Sequence, residues 1–188
     1  MTIETVCVTG GNGTIGQAIL TELNDAGYQT VNISRGKRAE KRSNIYRSTD
    51  LLSSGEVYDS LARDGADAVI HMGSIPGPEH HPAHVTYESN VMGAFHVLQA
   101  ATDLNIDRVC LGSSINAMGA SQGARPNTVE YLPVDESHPL DPDGPYSIGK
   151  QVMEVTADGF ARGADGMSIA SLRYPYVLAG DELRTRYT

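Results

Sequence analysis

A chain of 188 residues with 40% hydrophobic and 20% charged residues holds enough apolar material for one domain with a substantial core, and too much for a disordered segment. The formal net charge of −9 argues against nucleic acid as a partner. No apolar run approaches the roughly 20 residues of a membrane span, and the start MTIETVCVTGG lacks the zones of a secretory leader, so a cytoplasmic location is expected.

The first strand candidate, Thr5 to Thr9, runs straight into TGGNGTIG, which sets Gly10, Gly13 and Gly16 at three-residue spacing where a strand gives way to a helix, Ile15 to Ala26. Glycine serves there for a tight turn, for close approach of a pyrophosphate to the backbone, and for packing of helix on strand; the helix N-terminus adds donors and partial positive charge. Strand, turn and helix in that order make this a dinucleotide site rather than a bare glycine turn.

A second strand, Thr30 to Ile33, ends at Ser34 and Arg35, with Lys37 and Arg38 following. In a fold of this kind that strand end faces the adenosine ribose, where an Asp or Glu binds the 2′-hydroxyl of NAD. A guanidinium at that place pairs instead with a 2′-phosphate, so NADP is the expected cofactor and NAD the alternative. Six of the chain's 14 basic residues fall between Arg35 and Arg47 with Glu40 as the one acid among them, leaving 8 basic against 22 acidic residues elsewhere. The positive charge is therefore local.

A weaker strand near Ile45 and a helix over about Val57 to Asp64 come next, then a strand at Ala68 to His71 and the loop GSIPGPEHHPAH. A helix from Tyr87 to Leu104, a strand at Arg108 to Leu111, the Pro/Gly/Asp-rich connection Gly119 to Pro145, a helix from Tyr146 to Arg162 and a strand at Ser168 to Leu172 complete the pattern. Near-continuous apolar strands alternating with helices predict one α/β domain over residues 1–188, a doubly wound parallel sheet of Rossmann type. Cys7 and Cys110 sit in β-like apolar runs and read as reduced core residues. His80, His81 and His84 have a spacing that metal ligands use, but Pro82 weakens a helix that would present them together, so no metal is expected.

The glycine turn, the run YSIGK (Tyr146 to Lys150) and the upstream LGSSINAMG together resemble the extended short-chain dehydrogenases/reductases, the NAD-dependent epimerase/dehydratase family of sugar-nucleotide epimerases, dehydratases, reductases and sugar dehydrogenases. Supporting stretches run along almost the whole chain: Asp50-Leu51, IHMGS, YESNVMGAFHVLQAA, LPVDE and SLRYPYV. The resemblance implies a catalytic Ser114, with Ser113 as fallback, Tyr146 as proton donor and acceptor, and Lys150 as its electrostatic partner. It further implies cofactor contacts at Gly10, Gly13, Thr14, Ile15, Gly16, Ser34, Arg35, Asp50, Leu51, Met72, Gly73, Ser74, Asn90, Ser113, Tyr146, Lys150, Tyr174 and Pro175. The chemistry accounts for the residue types. A phenol whose ordinary pKa is about 10 is a poor base at neutral pH, and an ammonium one helical turn away favours its ionised form.

The family's 4,6-dehydratases carry Thr-Asp-Glu where this chain has Ser114-Ile115-Asn116, which disfavours dehydration. Only LAGDELRTRYT follows the sixth strand, so most of the family's smaller substrate domain is expected to be absent from this chain, as in a fragment or a natural short form. The leading expectation is an NADP-preferring oxidoreductase acting on a sugar or sugar-nucleotide-like small molecule. The alternatives are an epimerase that retains its cofactor and a non-catalytic dinucleotide sensor. A homodimer is expected through the two long helices, whose Val91, Phe95, Leu98, Ile148, Val152 and Val155 exceed one buried stripe.

Overall fold

Six parallel strands, in the order β3-β2-β1-β4-β5-β6, form the sheet. They are β1 (Thr5–Thr9), β2 (Gln29–Ser34), β3 (Ile45–Ser48), β4 (Ala68–His71), β5 (Arg108–Ser114) and β6 (Ser168–Tyr174). The helices are α1 (Thr14–Asp25), α2 (Ser54–Arg63), α3 (Ala83–Asp103) and α4 (Pro145–Gly163), and a 3₁₀ turn spans Ile115–Met118. This computed structural model describes residues 2–77, 81–120 and 129–178. Reversal of strand order between β1 and β4 creates a crevice at the carboxyl ends of the strands, where such sheets take ligands.

Side-chain alternation along the strands divides the core. Cys7, Val69, Val109 and Ile169 are register neighbours across β1, β4, β5 and β6. With Val31 and Ile33 of β2 they meet Val57 and Leu61 of α2, Val97 and Leu98 of α3, and Met153 and Ala157 of α4. On the other face Val6, Val8 and Ala68 pack against Leu20, Ile19 and Leu23 of α1. Coverage of that second face is thinner than the sequence pattern predicts. Cys110 is half-buried and Leu172 is 44% exposed, because among the described residues α1 is the helix packed there.

The helices α2 and α3 start three and four residues earlier than expected, at Ser54 and Ala83. Pro82 does not break a helix but caps α3, so His84 lies in its first turn; a proline at a helix start forfeits only an amide that has no partner within the helix. His80 lies outside the described residues. At α4, Gly144 is the N-cap and Pro145 opens the first turn, putting Tyr146 at the start of a helix that faces β5.

Candidate active site

The glycine turn is built by close approach. Gly10 has φ +70°, and a Cβ there would sit 2.7 Å from the Gly73 nitrogen; one on Gly16 would sit 2.3 Å from the Gly10 carbonyl oxygen. Any side chain at either position would force β1 from β4, or α1 from the turn. Over Gly13, by contrast, a Cβ would meet the Gly10 oxygen alone, at 3.3 Å. Gly13 is the N-cap of α1, and no side chain caps that helix end. An uncapped helix N-terminus with open space above it fits an anionic group such as a pyrophosphate.

A cleft of about 310 Å³ opens from this turn, lined by Gly10, Gly13, Ser34, Arg35, Asp50 and Leu51 together with Met72, Gly73 and Ser74. Nine residues expected from the sequence to contact a cofactor thus converge from four segments. Thr14 and Ile15 open α1 beside them. Asn12, Thr49 and Ser89 also line the cleft and were not expected.

Asn90 does not reach into it. Its side chain is 2% exposed, accepts from the Ile75 N–H at 2.7 Å and donates to the Ile75 carbonyl at 3.0 Å. A buried amide with both faces satisfied by one backbone residue is a clamp on the loop after β4, so its expected cofactor contact is corrected to a positioning role. His71 closes the floor of that loop. Its Nδ1 lies 2.8 Å from the Thr9 hydroxyl, and burial, with the Lys150 charge as a second cause, pulls its pKa down to about 3.

Ser114, Tyr146 and Lys150 meet at the end of β5. Tyr146 is 8% and Lys150 2% exposed. Burial pushes the phenol above its ordinary pKa, and a hydrogen bond with Ser114 partly offsets this. Lys150 Nζ lies 5.7 Å from the Tyr146 ring centroid. It donates to the Gly112 carbonyl at 2.5 Å and to the Ser74 hydroxyl at 3.4 Å. The ammonium is therefore turned to a carbonyl rather than to the phenol oxygen, as expected of a buried cation that takes the nearest strong acceptor. Through Ser74 it stands at the cleft wall. Desolvation lowers its pKa to about 8, with Glu154 pulling the other way.

Ser113 is not an alternative to Ser114. Its hydroxyl donates to Glu154, one turn beyond Lys150, and Glu154 also forms a paired contact with Arg173 at 3.1 and 2.8 Å. Ser113 and Arg173 are register neighbours on β5 and β6. Glu154 and Arg173 escaped sequence reasoning because the pair joins a helix to a strand across 19 residues. Tyr174, with Pro175 after it, ends β6 beside Ser114, on the side of β5 away from the cleft.

A parallel sheet in this strand order, with a glycine turn at its switch point and a Ser, Tyr and Lys at the end of β5, defines a Rossmann-type domain of the short-chain dehydrogenase/reductase kind. Residues 6–184 match the NAD dependent epimerase/dehydratase family, and the chain belongs to it. It is 32% identical over 182 residues to a UDP-glucose 4-epimerase of Azospirillum brasilense, covering 94% of this chain and 50% of that one. It is 28% identical over 186 residues to an L-arabinose 1-dehydrogenase (NAD(P)(+)) of Haloferax volcanii, covering 96% and 70%. The structure of a UDP-glucose 4-epimerase from Brucella ovis in complex with NAD superposes with a TM-score of 0.78 at 25% identity, over 91% of this chain and 51% of that one. The chain thus spans about half the length of the epimerases it matches.

Proposed function

We propose that this chain provides the cofactor-binding and proton-transfer portion of an NAD(P)-dependent enzyme acting on a carbinol or carbonyl carbon of a sugar or sugar-nucleotide-like substrate, with NADP preferred. The observation that carries the reading is the Ser114–Tyr146 hydrogen bond beside buried Lys150, at the wall of a cleft that begins at an uncapped helix N-terminus. The donor set fits the cofactor: the glycine turn and α1 for the pyrophosphate, Arg35 for the ribose end, Asp50 and Leu51 for adenine, Lys150 for the nicotinamide ribose. When bound, the nicotinamide supplies the hydride acceptor or donor.

The chain's own residues handle the proton. Ser114 Oγ holds the reacting oxygen, and the Tyr146 hydroxyl gives a proton to it or takes one from it. The Lys150 ammonium, about 8 in pKa, is charged at neutral pH; it fixes Ser74 and Gly112 and supplies positive potential near the phenol. Ile115 and Asn116 offer no acid and base pair for water elimination. A cytoplasmic homodimer completes the proposal: Phe95 and Ile148 are 38% and 36% exposed and Val155 is 59% exposed, while Leu98 belongs to the core at 0%.

A second reading, an epimerase that keeps its cofactor, is favoured by the 4-epimerases among the relatives. Both readings are tested by incubating the full-length protein with sugars, uronates and UDP-sugars. Net change in reduced-nicotinamide absorbance with added NADP marks an oxidoreductase; interconversion of UDP-glucose and UDP-galactose without it marks an epimerase. Neither signal across the panel refutes both.

A further inference from the structure

The cations after β2 are not loose surface charge. Glu40 lies among them, 5% exposed, and its carboxylate accepts from the Asn32 amide at 2.9 Å, the Ser43 hydroxyl at 2.6 Å, the Ser43 N–H at 2.8 Å, Arg38 Nε at 3.2 Å and the Arg42 N–H. Burial alone would raise its pKa, but the hydrogen bonds from Asn32, Ser43 and Arg42 outweigh it and hold the group near 2. Arg38 is committed to this centre, donating also to the Glu40 carbonyl at 2.9 Å and to Ser43.

The same Asn32 amide donates to Asn12 Oδ1 at 3.0 Å. Asn12 is part of the glycine turn, and it grips the basic loop directly: its Oδ1 accepts from the Ala39 N–H at 3.1 Å and its Nδ2 donates to the Lys37 carbonyl at 3.2 Å. Its own N–H donates to the Ser34 hydroxyl at 3.2 Å, and the Tyr46 hydroxyl lies 2.9 Å from the Gly36 carbonyl. Arg35 and Lys37 thus stand exposed on a loop whose backbone is tied to the turn that faces the pyrophosphate.

We propose that the Asn12–Asn32–Glu40 chain is a positioning device for cofactor selectivity, locking the loop that carries Arg35 and Lys37 to the glycine turn so that the pyrophosphate and 2′-phosphate sites keep a fixed separation before NADP arrives. This rests on the NADP reading above. A carboxylate inside a phosphate-binding loop is otherwise repulsive; turned inward against Arg38 it organises the loop without facing the ligand. Gln at position 40 cannot substitute, because its amide nitrogen would face N–H donors where an oxygen now accepts.

The test is calorimetric titration of NADPH and NADH into the chain and into Arg35→Ala, Glu40→Gln, Glu40→Asp and Ser43→Ala, with a melting curve for each. The unmodified chain should favour NADPH by about tenfold or more, and Arg35→Ala should erase the preference. Glu40→Gln should weaken NADPH by about tenfold and NADH by less than about threefold, Glu40→Asp should recover part of the loss, and Ser43→Ala should act in the same direction more mildly. If Glu40→Gln does not fold, the Ser43→Ala and Glu40→Asp ratios decide. Equal losses for both cofactors, or none, in the variants that fold would overturn the positioning role while leaving the NADP reading intact. Absence of any preference in the unmodified chain would overturn both.

Discussion

Lys150 carries a charge that the fold does not want. It is 2% exposed, and desolvation takes its ammonium from 10.5 down to about 8. At about 1.4 kcal/mol per pH unit, keeping it charged at pH 7 costs the folded state ~3 kcal/mol. Lys150→Met removes that cost and keeps an unbranched apolar stem; it also removes the hydrogen bond to the Gly112 carbonyl, a loss of about 1–2 kcal/mol. The net expectation at pH 7 is a gain of about 1–2 kcal/mol, a rise in Tm of roughly 2–8 °C for a domain of this size. Linkage sets the pH dependence. Because the folded pKa lies below the unfolded one, the unfolded chain binds more protons between pH 8 and 10.5, and the unmodified protein gains stability through that window. The variant has no such gain, so its advantage should shrink from pH 8 upward and reverse by about pH 10.5. Thermal unfolding followed by circular dichroism, read as the difference between the two proteins across that range, isolates this group from other titrations. A variant less stable at pH 7, or a difference flat with pH, would refute the claim that the lysine is held there for chemistry against the preference of the fold.

Tyr146→Phe should lower turnover of the full-length enzyme by roughly 10²-fold or more, with cofactor affinity in calorimetry unchanged. Glu154→Ala should cost roughly 2–4 kcal/mol in urea unfolding, since Arg173 and the Ser113 hydroxyl lose their acceptor together. Acid unfolding should be shallower in Glu40→Gln than in the unmodified chain, because stability from a carboxylate lowered to about 2 is present above its ordinary 4.5 and lost as pH falls toward 2. If two copies pair through α3 and α4 as proposed, Val155→Glu, at a 59% exposed position on α4, should shift the mass read by light scattering from dimer to monomer and remove the concentration dependence of Tm.

Much of this protein is written in local pattern. Alternating apolar runs and helical stretches place all six strands, four of them with bounds within two residues, because parallel strands covered by helices must be apolar nearly throughout; β5 runs three residues past its expected end, to Ser114. The glycine spacing and YSIGK were legible for a similar reason: the turn needs residues without Cβ at set intervals, and a four-residue step puts two side chains on one helix face. Arg35 stood out as a cation where a carboxylate commonly lies.

Tertiary structure decided what those side chains do. Ser113 and Ser114 are neighbours in sequence, and only the packing of α4 on β5 directs one to Glu154 and the other to Tyr146. Asn90 became a clamp because the loop after β4 folds back on α3. Among six cations that look alike in the sequence, Arg38 is engaged by Glu40 and Arg47 by Asp64, while Arg35 lines the cleft and Lys37 is exposed two residues further on. A residue's type reports which bonds it is able to make; the neighbour that consumes them comes from elsewhere in the chain, and it is chosen when buried donors and acceptors must all be satisfied at once.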